Sequence, residues 1–301
     1  MYPAAYSAFF IVGLPANCLS LYVAWVLMRK GNNLAVYLVN LSISDLLYII
    51  SLPVWIELSL RRPVGDVLCS LVAVIMYNSF YVGSGLLCCI SVDRYLAVVY
   101  PLHFHRVREV RTSVVVSAVV WCVEIAVHIL FLDHTGALQA FSSRYMCEER
   151  MPMTQADADL ALTRVILGFL VPLLIMIFCF HQIMRSLRES ASILAEERRK
   201  VGLLLVLLLL TYVAAFVPYQ TVMLLRATQE PSGGCIWAKR LRDAYMVTVA
   251  TTTLNSVLDP IIYCLISQSA RTEMKKALDK VRGVFRQTMC RKSSYGVNTV
   301  A

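Results

Sequence analysis

The sequence is short of charge. Only 16% of its 301 residues are Asp, Glu, Lys or Arg, against 58% hydrophobic, and one water-soluble core cannot enclose that much apolar surface. Lipid must therefore be the solvent for much of the chain. The ten-residue apolar-polar alternation of a membrane barrel is missing, as are internal repeats and low-complexity linkers. No activated nucleophile, metal-ligand cluster or phosphate-cradling loop appears, so nothing points to an enzyme, a cofactor or a metal. The N-terminus lacks a basic front end followed by a short apolar run, so no cleavable signal peptide is expected and the first apolar segment serves as its own insertion signal.

What is present is a series of long apolar runs. Tyr2–Met28, Cys69–Val92, Val165–Phe180 and Val201–Leu225 carry no charge, and three further runs carry one carboxylate each: Gly31–Ile56 with Asp45, Thr112–Leu132 with Glu124 and Ala244–Ala270 with Asp259. As helices, most are long enough to cross a hydrocarbon core of about 30 Å. Helix is the form that satisfies backbone groups in lipid within each segment. The expectation is an all-α membrane protein, a seven-transmembrane helix bundle with helices near 3–29, 34–60, 67–99, 109–132, 157–189, 193–228 and 238–266. Beyond it, Ala270, Met274, Ala277, Leu278, Val281 and Phe285 recur at helical spacing opposite Arg271, Lys275, Lys276 and Lys280. That pattern predicts a short amphipathic eighth helix in the membrane surface. Residues 1–266 are thus read as the transmembrane domain and 267–301 as amphipathic helix and cytoplasmic tail.

Orientation follows the cations. Of 28 Lys and Arg, two lie at Arg29 and Lys30, three from Arg106 to Arg111, five from Arg185 to Lys200 and eight from Arg271 to Lys292, all on one side. The positive-inside rule makes that side cytoplasmic and puts the N-terminus outside the cell. The net charge of +9 is then a consequence of topology and of attraction to anionic inner-leaflet lipid, with no need for a nucleic-acid partner.

Ten cysteines divide by position. Cys18, Cys88, Cys89, Cys122, Cys179 and Cys264 fall inside helices and read as small apolar residues. Cys69, at the outer end of the third helix, and Cys147, in the loop after the fourth, share an oxidising compartment, so a disulfide between them is expected. Cys235 has no obvious mate here, and a partner in a preceding N-terminal segment is one reading. Cys290 is either a palmitoylation site or a plain cytosolic thiol.

An arginine at the inner end of an apolar helix is costly unless it is used, and Asp93-Arg94-Tyr95 stands there, followed by Leu96-Ala97-Val98-Val99-Tyr100-Pro101-Leu102. With Asn17, Leu41-Ser42-Ile43-Ser44-Asp45, Trp121, Pro172, Phe216-Val217-Pro218-Tyr219 and Asp259-Pro260-Ile261-Ile262-Tyr263 in order, nearly the whole chain resembles the rhodopsin-like (class A) G-protein-coupled receptors. The resemblance implies a two-state switch in which Arg94 pairs with Asp93 at rest and turns toward a heterotrimeric G protein when the sixth helix swings outward. Pro218 and Pro260 each remove a helical hydrogen bond and supply hinges. Asp93, Arg94, Tyr95, Phe216, Pro218, Asn255, Pro260 and Tyr263 are the expected coupling and switch residues. Phe180 and Phe216 depart from the common family tyrosine and tryptophan at their levels.

Two ligand classes are disfavoured: Met76 stands where amine receptors carry an aspartate, and Thr253 where opsins carry a lysine, with Lys239 only at the mouth. Pro15-Ala16-Asn17-Cys18-Leu19-Ser20-Leu21-Tyr22, Cys88-Cys89-Ile90-Ser91-Val92 and the Trp121–Glu124 pairing resemble the proton-sensing receptors, the ovarian-cancer and T-cell death-associated members among them. Gly31-Asn32-Asn33-Leu34-Ala35-Val36-Tyr37-Leu38 and Arg185-Ser186-Leu187-Arg188-Glu189-Ser190 lean toward their relative named for cell-cycle arrest, whose ligands are taken to be oxidised or amidated fatty acids.

The proton reading places Asp45, Glu124 and Asp259 together in the bundle, where desolvation and mutual repulsion favour protonated carboxyls, with His128 and His134 toward the outside. The alternative makes Asp45, Asp259, Asn17 and Asn255 a hydrated or sodium-binding pocket. Few outer histidines are present: His103, His105 and His181 lie on the cytoplasmic side. The outer cations Arg164 and Arg226, with Tyr77 and Tyr81, instead suit an anionic lipid such as a lysophospholipid or an oxidised or N-acyl fatty acid. A remoter alternative is a proton transporter or channel, which leaves Asp93-Arg94-Tyr95 unexplained and lacks the expected inverted repeat.

Overall fold

The computed structural model describes residues 2–60, 62–100, 103–104, 107–134, 152–189, 195–266, 269–277 and 279. The helices are α1 (Tyr2–Arg29), α2 (Leu34–Ser59), α3 (Asp66–Val99), α4 (Val110–His134), α5 (Gln155–Arg164), α6 (Val171–Glu189) and α7 (Ala195–Ile266), with helical backbone again over 269–277. A π-helical turn, Val165–Leu170, joins α5 to α6 into one crossing. Among the described residues, six helical segments are apolar and long enough to span a membrane: Pro3–Arg29, Leu34–Leu58, Asp66–Val99, Val110–His134, Gln155–Glu189 and Val201–Gly233.

The seventh crossing is the second half of α7. The sequence predicts two helices there, separated by residues 229–237, whereas the structure keeps helical turns throughout that stretch. The chain nevertheless doubles back. The Thr251 hydroxyl donates to the Ala215 carbonyl at 3.1 Å, and the rings of Tyr219 and Tyr245 stand 6.0 Å apart, contacts that a straight helix of about 1.5 Å rise per residue forbids. Reversal occurs near Pro231 and Gly233, where a Cβ on Gly233 would fall 2.1 Å from the Trp237 ring. We refer to the outgoing limb, which carries Pro218, and the return limb, which carries Pro260.

Local chemistry sets the other boundaries. Gly31, at φ 86°, closes α1: its N–H donates to the Met28 carbonyl and the Asn32 N–H to the Leu27 carbonyl, a Schellman stop that glycine adopts without Cβ strain. α5 begins at Gln155, two residues before the expected start at 157, because Thr154 and Asp157 form a reciprocal capping box.

Burial shows which surface faces lipid. On α4 the buried residues are Ser113, Ser117, His128 and Leu132, while Val115, Val119, Val123 and Leu130 are exposed. A helix with its polar stripe inward and its aliphatic side outward matches a hydrocarbon solvent. α3 occupies the centre, against α2, α4, the π turn, α6 and α7, and α1 lies along α2 and α7. The main core gathers Leu38, Leu86, Ile90, Phe169, Tyr212, Phe216 and Tyr263. Ala270 is buried in that core and Met274 packs on it, so the 269–277 helix docks through the face the sequence predicts, with Arg271, Lys275 and Lys276 exposed. Leu278, Lys280, Val281, Phe285 and Cys290 lie outside the described residues.

Candidate functional site

The three lone carboxylates do not share one place. Asp45 on α2 and Asp259 on the return limb are both buried and close enough for their charges to interact. The Ser256 hydroxyl faces Asp45, and Asn255 donates to Asp259 Oδ2 at 2.6 Å. Pro260 has no N–H, so the carbonyl four residues earlier, at Ser256, loses its helical donor. Asn17 replaces it, donating from Nδ2 at 2.7 Å. Four buried acceptor oxygens around this junction have no hydrogen-bond partner among the described residues: Asp45 Oδ2, Asp259 Oδ1, Asn17 Oδ1 and Asn255 Oδ1. Acceptors of that kind call for a proton, a water or a cation.

Glu124 belongs to a second cluster, between α3, α4 and α5. Its charge interacts with Arg164, whose guanidinium lies over the rings of Phe131, Tyr81 and Tyr77 at 4.6, 5.0 and 5.7 Å. His128 is buried here, 6.1 Å from each of Tyr77 and Phe131, whereas His134 is exposed at the end of α4. Among the described residues no carboxylate comes within ion-pair distance of Arg164; aromatic faces hold it by cation–π attraction. The π turn makes this geometry possible. It brings Gly168 so close to Tyr81 that a Cβ there would lie 2.5 Å from the ring.

Arg226, the other expected head-group cation, is already engaged. It is buried and pairs with Glu230, whose side chain is fully buried, and its guanidinium lies 4.5 Å over the Tyr245 ring. Glu230 Oε2 also accepts the Met153 N–H at 3.0 Å, tying the outgoing limb to the chain just before α5. Sequence reading passed over Glu230, although an acid four residues after an arginine on a helix is a readable pairing signal.

A small cavity reaches from Asp45 to the rings of Tyr77 and Tyr81. Asp45, Asn255 and Ser256 line one part and Met76, Tyr77, Phe80, Tyr81 and Tyr219 another, enclosing room for little more than a water or two. Phe80 forms its aromatic wall, 4.5 Å from the Phe216 ring and 5.7 Å from that of Tyr219. Pro218 lies two residues beyond Phe216 on the same limb.

At the end carrying the basic segments, Asp93 is a shared acceptor. Arg94 Nε reaches its Oδ2 at 3.1 Å, Asn33 Nδ2 donates to Oδ1, and Arg108 stands 3.7 Å from Oδ1. Tyr95 packs with Tyr100 and Phe178, and Phe180 lies in the neighbouring cluster of Ile183, Leu187 and Leu205. Tyr263 is buried in the main core. At the opposite end Cys69 is disulfide-bonded, while its expected mate, Cys147, lies outside the described residues, and Cys235 is a free, exposed thiol.

A seven-crossing bundle with an Asp–Arg pair at one end, prolines inside its helices and a buried polar junction is the architecture of an integral membrane receptor. Residues 16–263 match the family described as 7 transmembrane receptor (rhodopsin family), and the chain belongs to that family. It is 34% identical over 277 residues to G-protein coupled receptor 68 of Homo sapiens, covering 91% of this chain and 75% of that protein. Over 280 residues it is 35% identical to the probable G-protein coupled receptor 132 of Mus musculus, covering 90% and 72%. Lysophosphatidic acid receptor 4 of Homo sapiens is 29% identical over 274 residues, covering 88% and 74%. The protein is thus a multi-pass plasma-membrane receptor and not an enzyme, and the transporter reading is set aside.

Proposed function

We propose that this receptor senses extracellular acidification and passes the signal to heterotrimeric G proteins, with its N-terminus outside the cell. The supporting observation is the buried pair Asp45 and Asp259, on two helices, each with an oxygen that has no hydrogen-bond partner among the described residues. Two ionised carboxylates repel across this junction, and protonating one of them removes that repulsion. Moving a receptor from about 1% to about 99% active needs about 5.5 kcal/mol, a 10⁴-fold difference in proton affinity between the two states. The Asp45–Asp259 pair shares that demand with Glu124, which acts through Arg164. Second-messenger output measured from pH 8 to 6 tests the idea with Asp45→Asn, Asp259→Asn and Glu124→Gln. The midpoint shifts or disappears in at least the first two; an unmoved midpoint in all three removes the proposal.

A second reading rests on Arg164. A half-buried guanidinium lying over three rings, with no carboxylate within ion-pair distance among the described residues, suits the head group of an anionic amphiphile. One relative is named as a lysophosphatidic acid receptor, which accords with this class. Arg164→Gln abolishes responses to such a lipid; retention of the full response contradicts this role.

A further inference from the structure

At the end that carries the basic segments, α1 and the 269–277 helix meet over one carboxylate. Lys30 Nζ donates to Glu273 Oε1 at 2.8 Å, and Lys276 Nζ donates to the same oxygen at 2.9 Å, so the two ammonium nitrogens are no farther apart than those distances combined. Both lysines stay open to the surroundings, with 55% and 65% of their side chains exposed against 13% for Glu273. The shared oxygen engages one of the three donors of each ammonium. Arg29, exposed beside Lys30, makes no ion pair among the described residues. Arg271 and Lys275 stand two positions either side of Glu273, which the helical repeat puts on the opposite flank. The corner therefore holds three cations and one anion.

The surface that leads away from these charges is apolar. Tyr22 and Trp25 on α1 are 48% and 49% exposed, and with Cys18 and Arg29, also exposed, they form one stripe at helical spacing. Tyrosine and tryptophan near the end of a membrane span are interfacial anchors. A ligand of this corner meets cations at one end and a lipid-facing aromatic strip at the other.

We infer that the corner binds an inner-leaflet phospholipid bearing a phosphomonoester, a phosphoinositide-type lipid, with the phosphate on Lys30 and Lys276 and an acyl chain along Trp25 and Tyr22. Charge decides the class. Glu273 leaves two of the three positive charges uncompensated, and a phosphomonoester carries about −1.5 to −2 at pH 7, whereas a phosphodiester carries a single charge. The positive-inside rule turns this end to the cytoplasm, where the leaflet is rich in anionic lipid. Glu273 holds the two ammonium groups together, which prepares them for one phosphate, and it also competes with that phosphate for their donors. Bound lipid takes over from Glu273 the task of tying the 269–277 helix, whose Ala270 is buried in the main core, to the end of α1.

The test uses the full-length receptor in phosphatidylcholine nanodiscs containing phosphatidylinositol bisphosphate with brominated acyl chains. Brominated phosphatidylserine at matched total charge is the control. Bromine quenches tryptophan on contact, and the difference between the native receptor and Trp25→Phe isolates the Trp25 signal. Half-quenching of Trp25 occurs at a lipid charge about fivefold or more below that needed with phosphatidylserine. Lys30→Gln and Lys276→Gln each raise that point about fivefold, and Glu273→Gln lowers it. A spin label on the 269–277 helix of Glu273→Gln, mobile in phosphatidylcholine alone, is immobilised by the bisphosphate lipid. Equal quenching by phosphatidylserine at matched charge overturns the site and leaves only diffuse attraction, as does an unchanged half-quenching point in Lys30→Gln/Lys276→Gln with a native melting curve. Absence of Trp25 quenching overturns the placement of the chain. If water-soluble inositol trisphosphate immobilises the label as tightly as the lipid does, the ligand is a soluble phosphate and the lipid assignment falls.

Discussion

Asn17 donates its side-chain amide to the Ser256 carbonyl at 2.7 Å, the acceptor that Pro260 strands inside the return limb. A carbonyl that Pro260 deprives of its helical donor is thereby tied to α1. Replacing Asn17 with Ala leaves that carbonyl unpaired, at a cost of about 1–3 kcal/mol. The purified receptor carrying Asn17→Ala melts at a lower temperature than the native protein. Restoring a backbone N–H with Pro260→Ala in the same chain recovers part of the loss; equal melting of native and Asn17→Ala receptors rules the bridge out as a stabilising contact.

Arg226 and Glu230 make a different commitment, because both are out of contact with solvent. Breaking such a pair from one side strands a buried charge and costs about 3–5 kcal/mol, whereas replacing both with apolar residues of similar volume is close to neutral. Glu230→Gln is therefore far less thermostable than Arg226→Met/Glu230→Leu. A double-mutant cycle on melting midpoints checks this, and additive effects of the two single changes show that the pair is not coupled.

Patterning reveals the bundle because lipid imposes it: long charge-free runs, one-sided cations and prolines at set levels are read directly from composition and spacing. The site is harder to read. Asp45, Glu124 and Asp259 look alike along the chain, each a lone acid in an apolar run, yet helix rotation sends Glu124 to Arg164 and leaves the other two together. Arg226 reads as a free head-group cation until Glu230, one helical turn later, is seen to face it. The continuation of helix through 229–237 is also contrary to local preference, since Pro231, Gly233 and Gly234 are weak helix formers. Packing of Trp237 against Gly233 and of Arg240 over Trp237 at 5.3 Å accompanies that reversal.

Glu273 gives a pH-dependent contact outside the membrane. It accepts from Lys30 at 2.8 Å and from Lys276 at 2.9 Å, and these two donors, Lys30 first, hold its carboxyl below the ordinary glutamate value. A carboxylate held low when folded stabilises above its unfolded pKa, near 4.3, and that contribution is lost as pH falls through the lower folded value. A spin label on the 269–277 helix gains mobility as pH drops from about 5 toward 3, and less so in high salt, where exposed ion pairs are already screened. Glu273→Gln shows the mobile spectrum at every pH; a spectrum identical to the native one removes this link between α1 and the surface helix.

At the other shared acid, geometry decides between competition and support. Asn33 binds Oδ1 of Asp93 while Arg94 binds Oδ2, so Asn33 does not draw the carboxylate away from Arg94 but fixes the rotamer that meets it. Arg108 Nε, 3.7 Å from the same Oδ1, acts on Asp93 by charge rather than by a hydrogen bond. If the Asp93–Arg94 pair holds the resting state, loss of the Asn33 hydrogen bond removes about 1 kcal/mol from it and raises basal nucleotide exchange about fivefold. Asp93→Asn, which removes the charge itself, raises it further, and Arg108→Gln changes it least. The order Asp93→Asn above Asn33→Ala above Arg108→Gln is the signature of a carboxylate positioned from one oxygen and engaged from the other. If instead Asn33→Ala lowers basal exchange, Asn33 competes with Arg94 and the resting pair is stronger without it.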